Sequence, residues 1–231
     1  MSTDDNDVYG DLDKSNLKFI YEQFLRRRTV KQKIGLMGGT FDPIHTGHLL
    51  TAEAVREQFG LQRVIFIPAA QPPHKQGRKV APAYDRLIMT EIAVAGNPCF
   101  GVSRIELQRS GPSYSVDTLR ELQQAHGQEA EFYFITGADA INELSTWHEA
   151  QHLLEICHFI AATRQGCALD LKRLRQEFGE SLVSSHIHEL PTPELEISST
   201  DIRKRVQEGR SIKYLVTAAV EAYIYKEGLY S

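Results

Sequence analysis

Cysteine is scarce. The chain of 231 residues carries three, Cys99, Cys157 and Cys167, with no C-x-x-C pairing. Scattered cysteines argue against a disulfide framework, and a reducing, cytoplasmic setting is the expectation. Long apolar runs are missing too: nothing approaches the roughly 18 residues that span a bilayer, so no membrane association is expected. The first residues are acidic and polar, with Asp4, Asp5, Asp7, Asp11 and Asp13 and no apolar centre, which does not read as a secretory signal. There is no basic excess. Lys and Arg number 26 against 30 Asp and Glu, a formal net charge of −4, which argues against a nucleic-acid partner. Internal repeats and low-complexity stretches are absent as well.

What is present is an ordinary apolar fraction, 42%, with 24% charged residues, so global disorder is excluded. At roughly 150 residues per domain the length suits one large α/β domain or two small ones. The expected organisation is an N-terminal extension over 1–30, partly disordered and carrying a short amphipathic helix near 15–28, followed by one domain over 31–231. Charge runs such as Arg26-Arg27-Arg28 usually just face water.

From Lys33 onward, strands and helices alternate. Apolar runs at 34–37, 64–67, 132–135 and 159–162 predict buried strands, with weaker ones at 100–102 and around Ile187. Helical spacing predicts helices around 52–59 and over 84–95, 116–124, 147–155, 169–178, 201–207 and 216–226. Continuous apolar strands separated by helices mean a parallel sheet covered on both faces, hence a doubly wound α/β fold. Such sheets bind ligands beyond the carboxyl ends of their strands, so the loops to search follow Met37, Ile67, Ile135 and Ala162. The Pro-broken stretch 71–82 reads as a ligand loop.

The most informative segment is Gly38-Gly39-Thr40-Phe41-Asp42-Pro43-Ile44-His45-Thr46-Gly47-His48. Two glycines let backbone approach a ligand closely. Thr46 is the expected N-cap of the next helix, whose first-turn N–H groups favour an anion. His45 and His48 sit three apart, so both imidazoles can face one side, with Gly47 keeping that surface open. The segment is neither a Walker A loop nor G-x-G-x-x-G. Paired imidazole donors at a helix start suit a triphosphate, where they can follow charge developing on a bridging oxygen. A second cluster, Ile197-Ser198-Ser199-Thr200-Asp201-Ile202-Arg203, offers a capping serine, hydroxyls and a guanidinium one turn in, a second phosphate grip.

Together these segments resemble the signature of the nucleotidyltransferase superfamily named for its His-x-Gly-His turn, and most resemble its bacterial nicotinate mononucleotide adenylyltransferases. Arg109-Ser110-Gly111-Pro112-Ser113-Tyr114-Ser115 with Asp117-Thr118-Leu119 is similar to that family's pyridine-nucleotide loop. Gly137-Ala138-Asp139 followed by Trp147 is similar to its acidic loop and ring-stacking tryptophan, and Gly228-Leu229-Tyr230 to its ending. His148 stands where many members carry Tyr. The resemblance covers roughly residue 33 to the end. It implies a Rossmann-like fold and transfer of AMP from ATP to the 5′-phosphate of nicotinate mononucleotide, giving deamido-NAD and pyrophosphate with Mg²⁺ present.

As the resemblance implies, His45, His48 and Arg203 are catalytic. Gly38, Gly39, Thr40, Phe41, His45, His48, Asp139, Ser199, Thr200 and Arg203 bind ATP. Lys75, Tyr114, Ser115 and Trp147 bind the mononucleotide. No protein-held metal is expected, and a homo-oligomer is allowed. Two rivals deserve statement. His148-Glu149-Ala150-Gln151-His152 satisfies the zinc-peptidase pattern H-E-x-x-H, but nothing fixes Glu177 or Glu180 as a third ligand. Pantetheine-phosphate or glycerol-phosphate nucleotidyl transfer is the other, opposed by Tyr114, Ser115 and Trp147.

Overall fold

The computed structural model describes residues 31–72, 80–163, 168–191 and 196–231. The expectations for the extension over 1–30 and for Lys75 lie outside the described residues. Six strands form one sheet: β1 (Gln32–Gly39), β2 (Arg63–Pro68), β3 (Phe100–Val102), β4 (Ala130–Gly137), β5 (His158–Thr163) and β6 (Ile187–Pro191). Their spatial order is β3-β2-β1-β4-β5-β6 and every neighbouring pair is parallel. This is the Rossmann-like doubly wound arrangement that the apolar runs predicted.

Helices fill the intervals: α1 (Thr46–Phe59), α2 (Ala83–Val94), α3 (Ile105–Gln108), α4 (Ser115–His126), α5 (Ala138–Asn142), α6 (Ala150–Ile156), α7 (Leu171–Phe178), α8 (Glu180–His186), α9 (Ser199–Gln207) and α10 (Ala218–Lys226). The period of two along each strand sorts its side chains into two cores. Ile34, Leu36, Phe132, Phe134, Phe159 and Ala161 pack with α4, α5 and α6 residues such as Leu119, Ile141 and Leu153. Val64, Phe66, Tyr133, Ile135 and Ile160 pack on the other side with Ala52, Val55, Met89, Ile202 and Ile224. Burial on both faces explains why the strands read as continuous apolar runs rather than alternating ones. No helix among the described residues is long and apolar enough to cross a membrane.

Three local expectations change. The N-cap of α1 is His45, not Thr46; the Thr46 N–H donates instead to the Leu215 carbonyl at 2.8 Å and its Oγ1 to the Tyr214 carbonyl at 3.0 Å. The helix expected from Trp147 starts at Ala150, because a 3₁₀ turn (Leu144–Thr146) leaves Trp147 extended and Glu149 takes a left-handed φ of 51°. Trp147 is held there by edge-on packing against Phe134 and Phe159. The helical spacing near 171–178 also stops short of α8: Gly179, at φ 90°, breaks the chain between the two helices.

Candidate active site

The order of the strands reverses direction between β1 and β4, and the crevice at their carboxyl ends is where such a sheet accepts a ligand. Two cavities open there. The first, about 350 Å³, is lined by Gly38 of β1, His45, Gly47 and His48 of the turn and α1, Thr136, Gly137 and Asp139 of the β4–α5 junction, and Ile197, Ser198 and Ser199 leading into α9. The second, about 400 Å³, is lined by Gly38, Gly39, Thr40, Ala69, Glu106, Ser113, Tyr114, Ser115, Thr118, Trp147 and His148, among others. They meet at Gly38 and Thr136, which border both.

Small residues make these approaches possible. A Cβ on Gly38 would lie 3.1 Å from Cζ of Phe134, and one on Gly47 would lie 3.1 Å from Nδ1 of His45. The His45 and His48 rings stack with centroids 3.7 Å apart, and His48 Nδ1 accepts from the His45 backbone N–H at 3.2 Å. This reciprocal cap holds both imidazoles at the start of α1. With the Thr46 N–H committed to Leu215, and that of His48 to the His45 carbonyl at 2.9 Å, the anion-binding role expected of the first turn narrows to Gly47 and the two imidazoles.

The second cluster converges on the same turn. Ser198 caps α9, its Oγ accepting from the Asp201 N–H at 3.1 Å, and Ser199 Oγ donates to the Pro43 carbonyl at 2.9 Å. Arg203 donates to the Asp42 carbonyl at 2.7 Å and to Thr200 Oγ1 at 3.2 Å. Neither Arg203 nor Thr200 lines either cavity, because the guanidinium fork is closed on the turn itself. Phe41 does not line them either: its ring is 3% exposed in the core, while its backbone takes φ 48°. Gly39 and Thr40, expected at ATP, border the second cavity rather than the first. Asp139 borders the first, and Tyr114, Ser115 and Trp147 border the second.

Several groups that shape the site escaped the sequence reading. Arg86, 1% exposed, donates to four backbone carbonyls: Thr40 and Ala69 at 2.7 Å, Ala81 at 3.0 Å and Ala70 at 3.3 Å. It ties the loops after β1 and β2 to the start of α2. Burial pulls its guanidinium below the usual range, with Asp42 opposing. Asp42, 2% exposed, accepts from the Tyr230 hydroxyl at 2.8 Å and the Ala81 N–H at 3.2 Å, so the chain's end closes on the turn. Burial raises the Tyr230 phenol. Glu106, beside the second cavity, accepts from Thr118 Oγ1 at 2.9 Å, and Ser113 Oγ accepts from the N–H groups of Ala70 and Gln71. Arg86 had one signal in sequence, a lone cation in an otherwise apolar helix face. Glu106 had none.

The zinc pattern dissolves in three dimensions. His148 precedes α6 and stacks on Tyr114 at 4.4 Å, so it and His152 do not share a helical face. No group of three His, Cys, Asp or Glu able to hold an ion occurs among the described residues.

Known proteins share this sequence. The cytidylyltransferase-like family matches residues 36–205. Over 200 residues the chain is 50% identical to a Thermoanaerobacter sp. (strain X514) protein named probable nicotinate-nucleotide adenylyltransferase, covering 86% of this chain and 94% of that one. A Moorella thermoacetica protein of the same name is 52% identical over 200 residues, covering 86% and 91%. Among solved structures, Plasmodium falciparum nicotinic acid mononucleotide adenylyltransferase complexed with NaAD superposes with TM-score 0.70 at 20% identity, over 86% of this chain and 97% of that one. At that identity the likeness speaks to the fold.

Proposed function

We propose a reaction from one premise: the chain belongs to the cytidylyltransferase-like family and, within it, to the nicotinate-nucleotide adenylyltransferases. The enzyme transfers AMP from ATP to the 5′-phosphate of nicotinate mononucleotide, giving deamido-NAD and pyrophosphate, a step in NAD biosynthesis. One observation carries the assignment of residues: two cavities, one beside the histidine pair and one beside Trp147 and Tyr114, share a border at Gly38 and Thr136. Two substrates seated in them would bring their phosphates together at that border.

A phosphate oxygen of the mononucleotide forms a bond to the α-phosphorus of ATP. The bond from that phosphorus to the bridging oxygen breaks, and its electron pair leaves with pyrophosphate. The nucleophile is already ionised near neutral pH, so no side chain need remove a proton. Catalysis then reduces to in-line placement and stabilisation of charge. His45 and His48 donate to the triphosphate as charge grows on the leaving oxygen, with Gly47 and the Ser198–Ser199 start of α9 facing the same cavity. Arg203 and Thr200 act on the turn that carries the histidines, as positioning residues. Asp139 accepts from ribose hydroxyls. Trp147 stacks on the pyridine ring, worth roughly 1–3 kcal/mol by analogy with base stacking.

The first cavity offers imidazoles, hydroxyls and one carboxylate, Asp139, among the described residues. That donor set suits Mg²⁺ carried on the phosphate oxygens of ATP rather than in a protein cage, so the ion enters as MgATP. Bound there, it neutralises phosphate charge.

Incubation with MgATP and nicotinate mononucleotide, followed by assay for pyrophosphate and dinucleotide, tests the reading. Stoichiometric appearance of both is expected. ATP consumed without dinucleotide would reject it.

A further inference from the structure

The second cavity has an unusual charge inventory for a pocket that is to hold an anionic ring. Among its described lining residues there is no Lys and no Arg. Its ionisable groups are Glu106, Tyr114 and His148. Glu106 is 7% exposed, and the nearest cation, Arg109, is committed elsewhere: to Glu121 at 2.7 Å and to Thr118 Oγ1 at 3.2 Å. His148 is therefore the described lining group that can become positive near neutral pH. Its ring is fixed at the rim by the stack on Tyr114, and its Nε2 lies 3.5 Å from Glu149 Oε1. Glu149 is itself forked by Arg120, which also reaches Asp117 at 3.5 Å.

We propose that His148 is a specificity-determining residue: its imidazolium favours a pyridine mononucleotide bearing a ring carboxylate over the same mononucleotide bearing a ring amide. The inference rests on the adenylyl-transfer reading and deepens it. The two substrates share ribose, phosphate and ring nitrogen and differ in one group. That group is anionic in the acid and neutral in the amide across the physiological range. Titration of the substrate phosphate or of MgATP affects both alike and cancels from the ratio of their kcat/KM values, leaving the protein's own ionisations.

Lowering the pH charges His148. It also moves Glu106 toward its neutral acid, since burial pushes that carboxyl above the usual carboxylate range, with the hydroxyls of Ser113 and Thr118 opposing. Both changes favour a ring carboxylate. Raising the pH reverses both, and the ring carboxylate then meets a like charge at Glu106.

The test measures kcat/KM for nicotinate and nicotinamide mononucleotides with saturating MgATP from about pH 6 to about pH 8, a span that brackets imidazole titration. The acid-to-amide ratio should fall about threefold to fivefold across that span, the size of a partly exposed charge pair. His148→Gln should flatten the ratio at its alkaline level, and His148→Lys should flatten it at its acid level. The side chain is 49% exposed, so both variants fold. A flat ratio in the unmodified enzyme, or a slope that survives in His148→Gln, overturns the assignment of His148 while leaving the reaction intact. Failure to turn over either mononucleotide rejects the reaction and the inference with it.

Discussion

At the carboxyl ends of the strands, His45 and His48 stack at 3.7 Å beside a cavity. At the amino ends, His158 stacks on His186 at 4.8 Å and on Tyr133 at 4.8 Å. There His158 bonds to His188 through Nδ1 and to Glu131 through Nε2, both at 3.2 Å, while the Tyr133 hydroxyl donates to Glu131 at 2.9 Å. Residue types at the two ends are alike. At the amino end they answer one another. At the carboxyl end the fixed partners are backbone groups of loops, and the side chains border space that a ligand can enter. Histidine content therefore says little about function; position relative to the sheet's direction says much more.

The largest effect that would sharpen this contrast is at Arg86. Replacing it with Ala leaves four buried carbonyls without their donor, and unfolding stability should drop by about 3–5 kcal/mol in urea titration. An unchanged midpoint would mean that the carboxyl-end loops hold themselves. Next is the histidine pair. His48→Ala should lower kcat by about 10²–10³, as for removal of one preorganised donor, with the fold retained by circular dichroism. His188→Ala, at the other end, should leave kcat within about twofold. Equal losses in the two variants would erase the distinction between the ends.

Smaller in size is Trp147→Ala. It should raise KM for the mononucleotide about tenfold or more while moving KM for ATP little, in keeping with one lost ring stack. Parallel changes in both constants would remove the stacking role. The smallest effect lies at the amino end and depends on pH. Burial holds His158 and His188 below the ordinary imidazole value of about 6.5; His186 adds to the lowering, and Glu131 opposes it. The unfolded chain therefore binds more protons near and below that value. The cluster's stability is complete above about pH 6.5 and is lost as pH falls through the unfolded value toward the folded ones. Tm should fall by about 2–4 °C from this source on acidification, and His188→Asn should blunt the fall. A rise in Tm on acidification attributable to His188 would contradict the burial.

Much of this was legible in one dimension. The strands announced themselves because a sheet covered on both faces leaves no polar side to interrupt Val64-Ile65-Phe66-Ile67 or Phe132-Tyr133-Phe134-Ile135. The glycine-rich turn was legible because close backbone approach restricts residue choice. Other features were not. The helix expected from Trp147 failed because ring packing against Phe134 and Phe159 overrides local helical spacing. Thr46 looked like a cap until Tyr214 and Leu215, far along the chain, took its hydroxyl and its N–H.

By itself, then, the order of residues determined the layering, the strand sequence and the segments that face ligands, since those follow from local periodicity and from glycine's small size. Only the folded chain decided which polar groups are consumed by one another and which remain turned to a cavity. That distinction rests on contacts such as Arg203 to Asp42 and Arg86 to Thr40, between residues far apart along the chain, and local pattern carries no information about such pairings.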